Sequence, residues 1–322
     1  MGTSTINGAE AMTDEEFKLR WNLWRKALGT EDKDNDPNTL LNQMHSMCWD
    51  IGVFKSTMAS WSKEPYRNSP NLKVTPLLFH FIFDNFFKGL CLSLRKMTEK
   101  GSLIDESGRK DRSVFSLSSL LNDISTHRTD YTRRRLFLVQ SMEYDVELVH
   151  QKHDQYLREF TGRGAISIPR ELNEGAIEYE HRQWDLVCKC QKEKRTPEDI
   201  IDDQYLVTLD KQIINIHSKV DYLVNKFYAH AATPNSRASV RKKSSEISLQ
   251  TLFDLTIKCG TLVNSISHIL SAATYPFLAV AQFDKWENWG IGWTATANEL
   301  EQTWMEWGER VKRLRPLSEV SN

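Results

Sequence analysis

Val224-Asn225-Lys226-Phe227-Tyr228-Ala229-His230 is the segment with the most chemistry in it. It closes a helical pattern in which Ile213, Ile216, Val220, Leu223 and Phe227 form one apolar stripe, and His230 continues that stripe. An imidazole titrates near neutral pH and can carry a proton to or from a reacting group. Lys226 lies four residues before it and is its neighbour on the helix surface, while Asn225 offers a carboxamide elsewhere on the circumference. Just beyond, Arg237, Arg241, Lys242 and Lys243 make a basic loop. A charge run of this kind is usually a solvated surface, and if the protein binds RNA this loop is where the phosphate contacts would lie. The candidate catalytic set is His230, Asn225 and Lys226.

Other constellations read more plainly. His150 and His153, with Glu147 and Asp154 nearby, could share a helix face, but no second histidine pair answers them; a solvated face is expected. Cys188-Lys189-Cys190 is tighter than a zinc C-x-x-C, and the five cysteines are scattered. They read as reduced structural thiols in a cytoplasmic protein, with no metal and no cofactor. Arg133-Arg134-Arg135, with His127 and Arg128, is a compact basic cluster expected on the surface. No phosphate-binding glycine loop, dinucleotide fingerprint, His-Glu-x-x-His or Gly-x-Ser-x-Gly occurs. A net charge of −1 over 322 residues provides no global field for nucleic acid or membrane.

The elements that must position these residues are helices. Thr13 with Glu16 forms a capping-box pattern before Phe17, Trp21, Trp24 and Leu28. A second helix carries Leu40, Leu41, Met44, Met47, Cys48, Ile51 and Phe54. Leu77 to Met97 is the most apolar run; its His80, Asp84, Asn85, Lys88 and Arg95 exclude a membrane span, and it reads as the central, mostly buried helix. A short helix follows over Ser116 to Ile124 and a long one over Asp130 to Phe160. Thr196-Pro197-Glu198-Asp199 reads as a helix start, with the pattern running to about Ala232 and a break near Thr208. Ile247 to Leu270 is a further helix. Sustained period-2 alternation is missing, so the fold class is all-α, a multi-helix bundle. The expected organisation is a disordered start over 1–12, an N-terminal helix and linker over 13–36, a helical domain over 37–272 and a Trp-rich C-terminal extension over 273–322.

In that extension Trp293, Ala297, Leu300, Trp304, Trp307, Val311 and Leu314 follow a heptad seam, which Pro316 stops. The seam must be buried, against either its own domain or a second copy. Glutamates 299, 301, 306 and 309 among the aromatics disfavour a base-stacking platform.

Asn225-Lys226-x-x-Ala229-His230 resembles the Arg-Asn-Lys-x-x-Ala-His signature of the HEPN superfamily, most closely its U-type abortive-infection (phage-resistance) branch. Leu77 to Met97, Ser116 to Leu121 and Ile247 to Leu270 are similar to that branch's neighbouring helices, so the likeness spans about residues 40 to 272. The resemblance implies a homodimeric helical domain with a defence or RNA-related role. In active members paired Arg–His motifs cut RNA without metal, using the ribose 2′-hydroxyl as nucleophile. Arginine provides the planar fork that holds phosphate and stabilises charge. Val224 stands at that arginine position, so the resemblance implies impaired catalysis. The alternatives are an active metal-independent endoribonuclease using His230 and a non-catalytic structural interaction protein.

Overall fold

The computed structural model describes residues 12–30, 36–61, 76–104, 114–160, 168–225, 247–271, 273–277 and 297–313. They form ten α-helices: α1 (Asp14–Leu28), α2 (Leu40–Trp61), α3 (Pro76–Thr98), α4 (Leu117–Thr126), α5 (Arg133–Val139), α6 (Val146–Glu159), α7 (Glu174–Cys188), α8 (Asp203–Leu223), α9 (Leu249–Ser271) and α10 (Ala297–Lys312). The described residues include no strand, and an isolated bridge joins Thr132 to Ile200. The fold is an all-α multi-helix bundle. No described helix is long and apolar enough to cross a membrane.

Local signals set the first helix. The Thr13 hydroxyl accepts from Glu16 N–H and the Glu16 carboxylate accepts from Thr13 N–H at 2.8 Å, which satisfies two otherwise orphaned donors. Gly29 ends α1 at φ 102°, and its N–H donates to Arg25 O. A side chain there would be strained by that φ and would also strike Thr39.

The centre of the bundle is α9, not α3. Leu252, Phe253, Leu255, Cys259, Leu262, Val263, Ile266, Ile269 and Leu270 are buried, and so are the polar Thr256, Asn264, Ser265, Ser267 and His268. A helix buried on its polar side too must be enclosed all round, and α9 packs against α1, α2, α3, α4, α7 and α8. Its last carbonyls find side-chain donors: Tyr131 Oη donates to Ile269 O, and Trp21 Nε1 donates to Leu270 O at 3.1 Å. The expectation for Leu77 to Met97 holds only at its C-terminal half, where Leu90, Cys91, Leu94 and Met97 are buried. Toward the N-terminus Phe79 and Phe81 face solvent beside Asp84 and Lys88, whose charges keep that side outward.

Two helix expectations are corrected. The run Asp130 to Phe160 is two helices, because the chain turns at Ser141 (φ 56°) and restarts with the Asp145 carboxylate capping α6. A satellite core of Phe137, Met142, Val149 and Ile177 fills the angle between α5, α6 and α7. Thr196 does not start a helix. Thr196 Oγ1 donates to Asp199 Oδ1 at 2.6 Å in a closed turn, and α8 begins later, with the Asp202 carboxylate accepting from Tyr205 N–H at 2.8 Å. From Asp203 onward α8 runs through Thr208 without a break.

The tail seam is buried within the same chain. Trp304, Trp307 and Val311 of α10 are buried, α10 lies on α2, and Trp307 Nε1 donates to Cys48 O at 3.0 Å. Gly52 permits the close approach: a Cβ there would lie 2.4 Å from the Trp304 ring.

Candidate functional site

Helix α8 has two faces. Tyr205, Leu206, Leu209, Ile213, Ile216, Val220 and Leu223 point into the core, and Val224 joins them at 0% exposure. His217, Asp221 and Asn225 follow at intervals of four and so share the other side. The last turn widens to π-helical geometry at Val224 and Asn225.

That polar strip meets the end of α3, which packs along α8. Arg95 Nε lies 3.1 Å from Asp221 Oδ1, within ion-pair range, although its N–H is not aimed well enough to hydrogen-bond. Asn225 Nδ2 donates to Asp221 Oδ2 at 2.8 Å. His217 Nε2 is 3.7 Å from Asp221 Oδ1. His217 Nδ1 is 3.3 Å from Thr98 Oγ1, and that hydroxyl donates to Leu94 O at 2.8 Å. The hydroxyl hydrogen is thus committed, so Nδ1–H of the imidazole is the donor to Oγ1. Glu99 stands 4.0 Å from Arg95 Nη2. A guanidinium, an imidazole and a carboxamide therefore converge on the Asp221 carboxylate in a half-buried strip.

Of the sequence-predicted site, Asn225 is found here. Lys226, His230, Arg237, Arg241, Lys242 and Lys243 lie outside the described residues. Lys219 is exposed on α8. His217 and Asp221 were missed, although their spacing from Asn225 was visible in the sequence. Arg95 could not be found that way, because only the pairing of α3 with α8 brings it there.

The basic cluster around Arg133 belongs to the structure, not to a phosphate-binding surface. Arg133 is fully buried. Its Nη2 lies 2.8 Å from both Asp185 Oδ1 and Asp199 Oδ2, 2.9 Å from Cys190 Sγ and 3.4 Å from Cys188 Sγ. Its Nε donates to Asp199 Oδ2 and its Nη1 to His181 O. Arg195 clasps Asp185 and Glu178 beside it. Burial would raise the Asp185 carboxyl, but hydrogen bonds from Arg195 and Arg133 outweigh it and hold it below the ordinary range. Burial acts the same way on Asp199, where the Thr196 hydrogen bonds and Arg133 prevail. Burial raises both thiols, so they stay protonated at neutral pH and are poor nucleophiles. Asp185, Cys188 and Cys190 are the one group of described residues spaced to hold a metal, yet the Arg133 guanidinium occupies the space among them. Arg135 is likewise engaged, with Asp14 and Asp130, and Arg128 donates to Ile201 O.

His150 and His153 reach across to α7 rather than standing free. Both face Glu174 Oε1, at 2.8 and 3.5 Å, and the Glu174 hydrogen bond raises the His150 imidazole above its ordinary value.

Neither a family profile, nor a curated protein, nor a solved structure matches this chain.

Proposed function

We propose that the chain is a HEPN-like, homodimeric helical protein with an RNA-related role in phage defence, acting by binding rather than by efficient cleavage. The observation that carries the second half of this reading is Val224. It is not only the wrong residue for phosphate; its side chain points into the core. The Arg95 guanidinium on α3 lies within ion-pair range of Asp221 and 4.0 Å from Glu99, so two carboxylates already offset its charge. RNA contact then falls to Lys226 and to the loop of Arg237, Arg241, Lys242 and Lys243, with His230 and Asn225 as remnants of a catalytic set.

The test is binding and cleavage of a labelled mixed RNA in EDTA. The wild type binds with a salt-dependent affinity and leaves the RNA intact. Replacing Arg237, Arg241, Lys242 and Lys243 together weakens binding and flattens the salt dependence. EDTA-resistant cleavage lost in a folded His230→Ala protein would replace this reading with that of an active ribonuclease. Failure to bind any RNA would remove the RNA role.

A second reading, a non-catalytic interaction protein, is favoured by one surface. Phe81 is 64% exposed and Phe79 39% exposed on the outer half of α3. Aromatic residues are enriched at the cores of protein interfaces. Since the α10 seam is buried on α2, this face is the better place for the homodimer contact. Light scattering of Phe81→Ser against the wild type tests this face, with twice the chain mass expected for the wild type and one for the variant, and a dimer that binds no RNA is the outcome that favours this reading over the first.

A further inference from the structure

Between α2 and α3 lies a groove of about 300 Å³, at the lower end of the range for small-ligand sites. It lies on the opposite side of α3 from Arg95 and Thr98, since Ile82, Phe86, Gly89 and Ser93 face it and a helix turns 100° per residue. Its walls are Trp49, Phe54, Phe86, Ile82, Val53 and Leu90. Phe54 and Phe86 stack at 3.9 Å between ring centroids and are nearly parallel, so each ring covers the facing side of the other and the pair forms one rigid wall of the groove. Trp49 is held edge-on by Trp304 at 5.3 Å and remains 40% exposed, so part of its ring system stays open to solvent.

Among the described residues Asp50 is the one charged group that lines this groove, no described lysine, arginine or histidine lines it, and the Asp50 carboxylate meets no described hydrogen-bond or ion-pair partner. The residue as a whole is exposed, yet partial desolvation raises its carboxyl above the ordinary value. An aromatic-walled cleft with one carboxylate and no described cation is complementary to an organic cation. The ammonium would pair with the carboxylate and lie over an aromatic face, while an apolar body fills the cleft. A neutral ligand would gain only the burial, and an anion would be repelled.

We infer that the α2–α3 groove binds small arylalkyl ammonium ions, with Asp50 as the charge partner and Trp49, Phe54 and Phe86 as the aromatic walls. Gly89 provides an independent handle on the same site. A Cβ built there meets nothing within 4 Å, so a larger side chain enters the groove without displacing the protein. Replacing a mid-helix glycine also favours the helix itself.

The experiment is isothermal titration calorimetry of the full chain with 2-phenylethylamine and its neutral isostere 2-phenylethanol. The amine binds about tenfold or more tighter than the alcohol, as expected where a charge-assisted contact is added to the same burial. Asp50→Asn brings the two affinities together, and Gly89→Leu abolishes binding of both while the melting temperature holds or rises. Equal affinity for amine and alcohol in the wild type would overturn the assignment, as would no binding of the amine at millimolar concentration. An amine preference that survives Asp50→Asn, or binding that survives Gly89→Leu, would place the ligand elsewhere.

Discussion

Arg133→Met tests the arrangement that does most to fix the α5–α7 region. The substitution keeps an unbranched side chain of similar reach and removes the guanidinium. It leaves Asp185 with Arg195 and Asp199 with Thr196, but withdraws their shared partner from a site where the arginine is fully buried and both carboxylates are largely so. Breaking a buried pair by deleting one member costs about 3–5 kcal/mol. With an unfolding entropy of about 2.1 cal/mol/K per residue, 322 residues give about 0.7 kcal/mol/K if the chain unfolds as one unit. The expected drop in Tm is then about 4–7 °C, read by calorimetry at pH 7.

Arg133→Lys separates charge from geometry. An ammonium restores the positive charge but cannot span two carboxylates, two sulfurs and the His181 carbonyl, so most of the loss remains. The acid limb gives a second readout. Asp185 and Asp199 have carboxyls held below their ordinary value in the folded state. Their stabilisation is therefore present above the unfolded carboxyl value of about 3.9 and is lost as pH falls through the folded value. Arg133→Met loses less stability than the wild type over that fall, because part of the lowering has gone. A Tm within about 2 °C of the wild type, or an acid limb of unchanged depth, would refute the reasoning.

Three further outcomes are expected. Gly52→Ala puts a methyl group 2.4 Å from the Trp304 ring, so α10 must shift on α2; a loss of about 1–3 kcal/mol and a changed tryptophan emission follow, and an unaltered melt and spectrum would count against the packing. His268 is lowered to about 4 by burial, so it stays neutral in the folded protein at pH 5.5 while the unfolded chain protonates; that stabilisation is complete above pH 6.5 and declines as pH falls toward 4. Nitrogen-15 NMR showing a His268 imidazolium at pH 5.5 would contradict it. Val224→Arg places a guanidinium in an apolar core, so it destabilises by about 3 kcal/mol or more and gains no EDTA-resistant RNA cleavage. A stable Val224→Arg protein that cuts RNA would show that the helix can rotate that position outward.

The fold was legible wherever the signal was local. The Thr13–Glu16 capping box and the α2 stripe each lie within a few turns of one helix and are found as read, and of the α10 seam Trp304, Trp307 and Val311 are buried, while Trp293 and Leu314 lie outside the described residues. The errors share a cause. Asp199 looks like a first-turn acid after Thr196-Pro197, and its hydrogen bonds to Thr196 are those of a cap. The chain nevertheless does not continue into a helix there, because Asp199 O receives Arg133 N–H and its carboxylate receives the Arg133 guanidinium. A long-range partner took up the groups that a helix would have used. The hidden break at Ser141 is similar in kind. It follows from a left-handed turn and a cap at Asp145 that apolar periodicity alone does not register.

The three consecutive arginines show why site chemistry was harder to read than fold. In the sequence Arg133, Arg134 and Arg135 are interchangeable; in the structure Arg133 is buried, Arg134 is exposed and Arg135 bridges to Asp14. What separates them is which carboxylates arrive from α7 and from the loop before α8, and no spacing rule carries that. The same holds for α8. The apolar stripe read from the sequence ran through Leu223 and left out Val224, which the structure buries beside it, and the four-residue spacing of His217, Asp221 and Asn225 went unused. The guanidinium beside them comes from Arg95, some 126 residues earlier in the chain. A reading that looked for the arginine on α8 itself therefore found a valine. The protein does hold an arginine near that helix end, but it is ion-paired with Asp221, which offsets its charge. The proposal of binding without efficient cleavage rests on that pairing as much as on Val224.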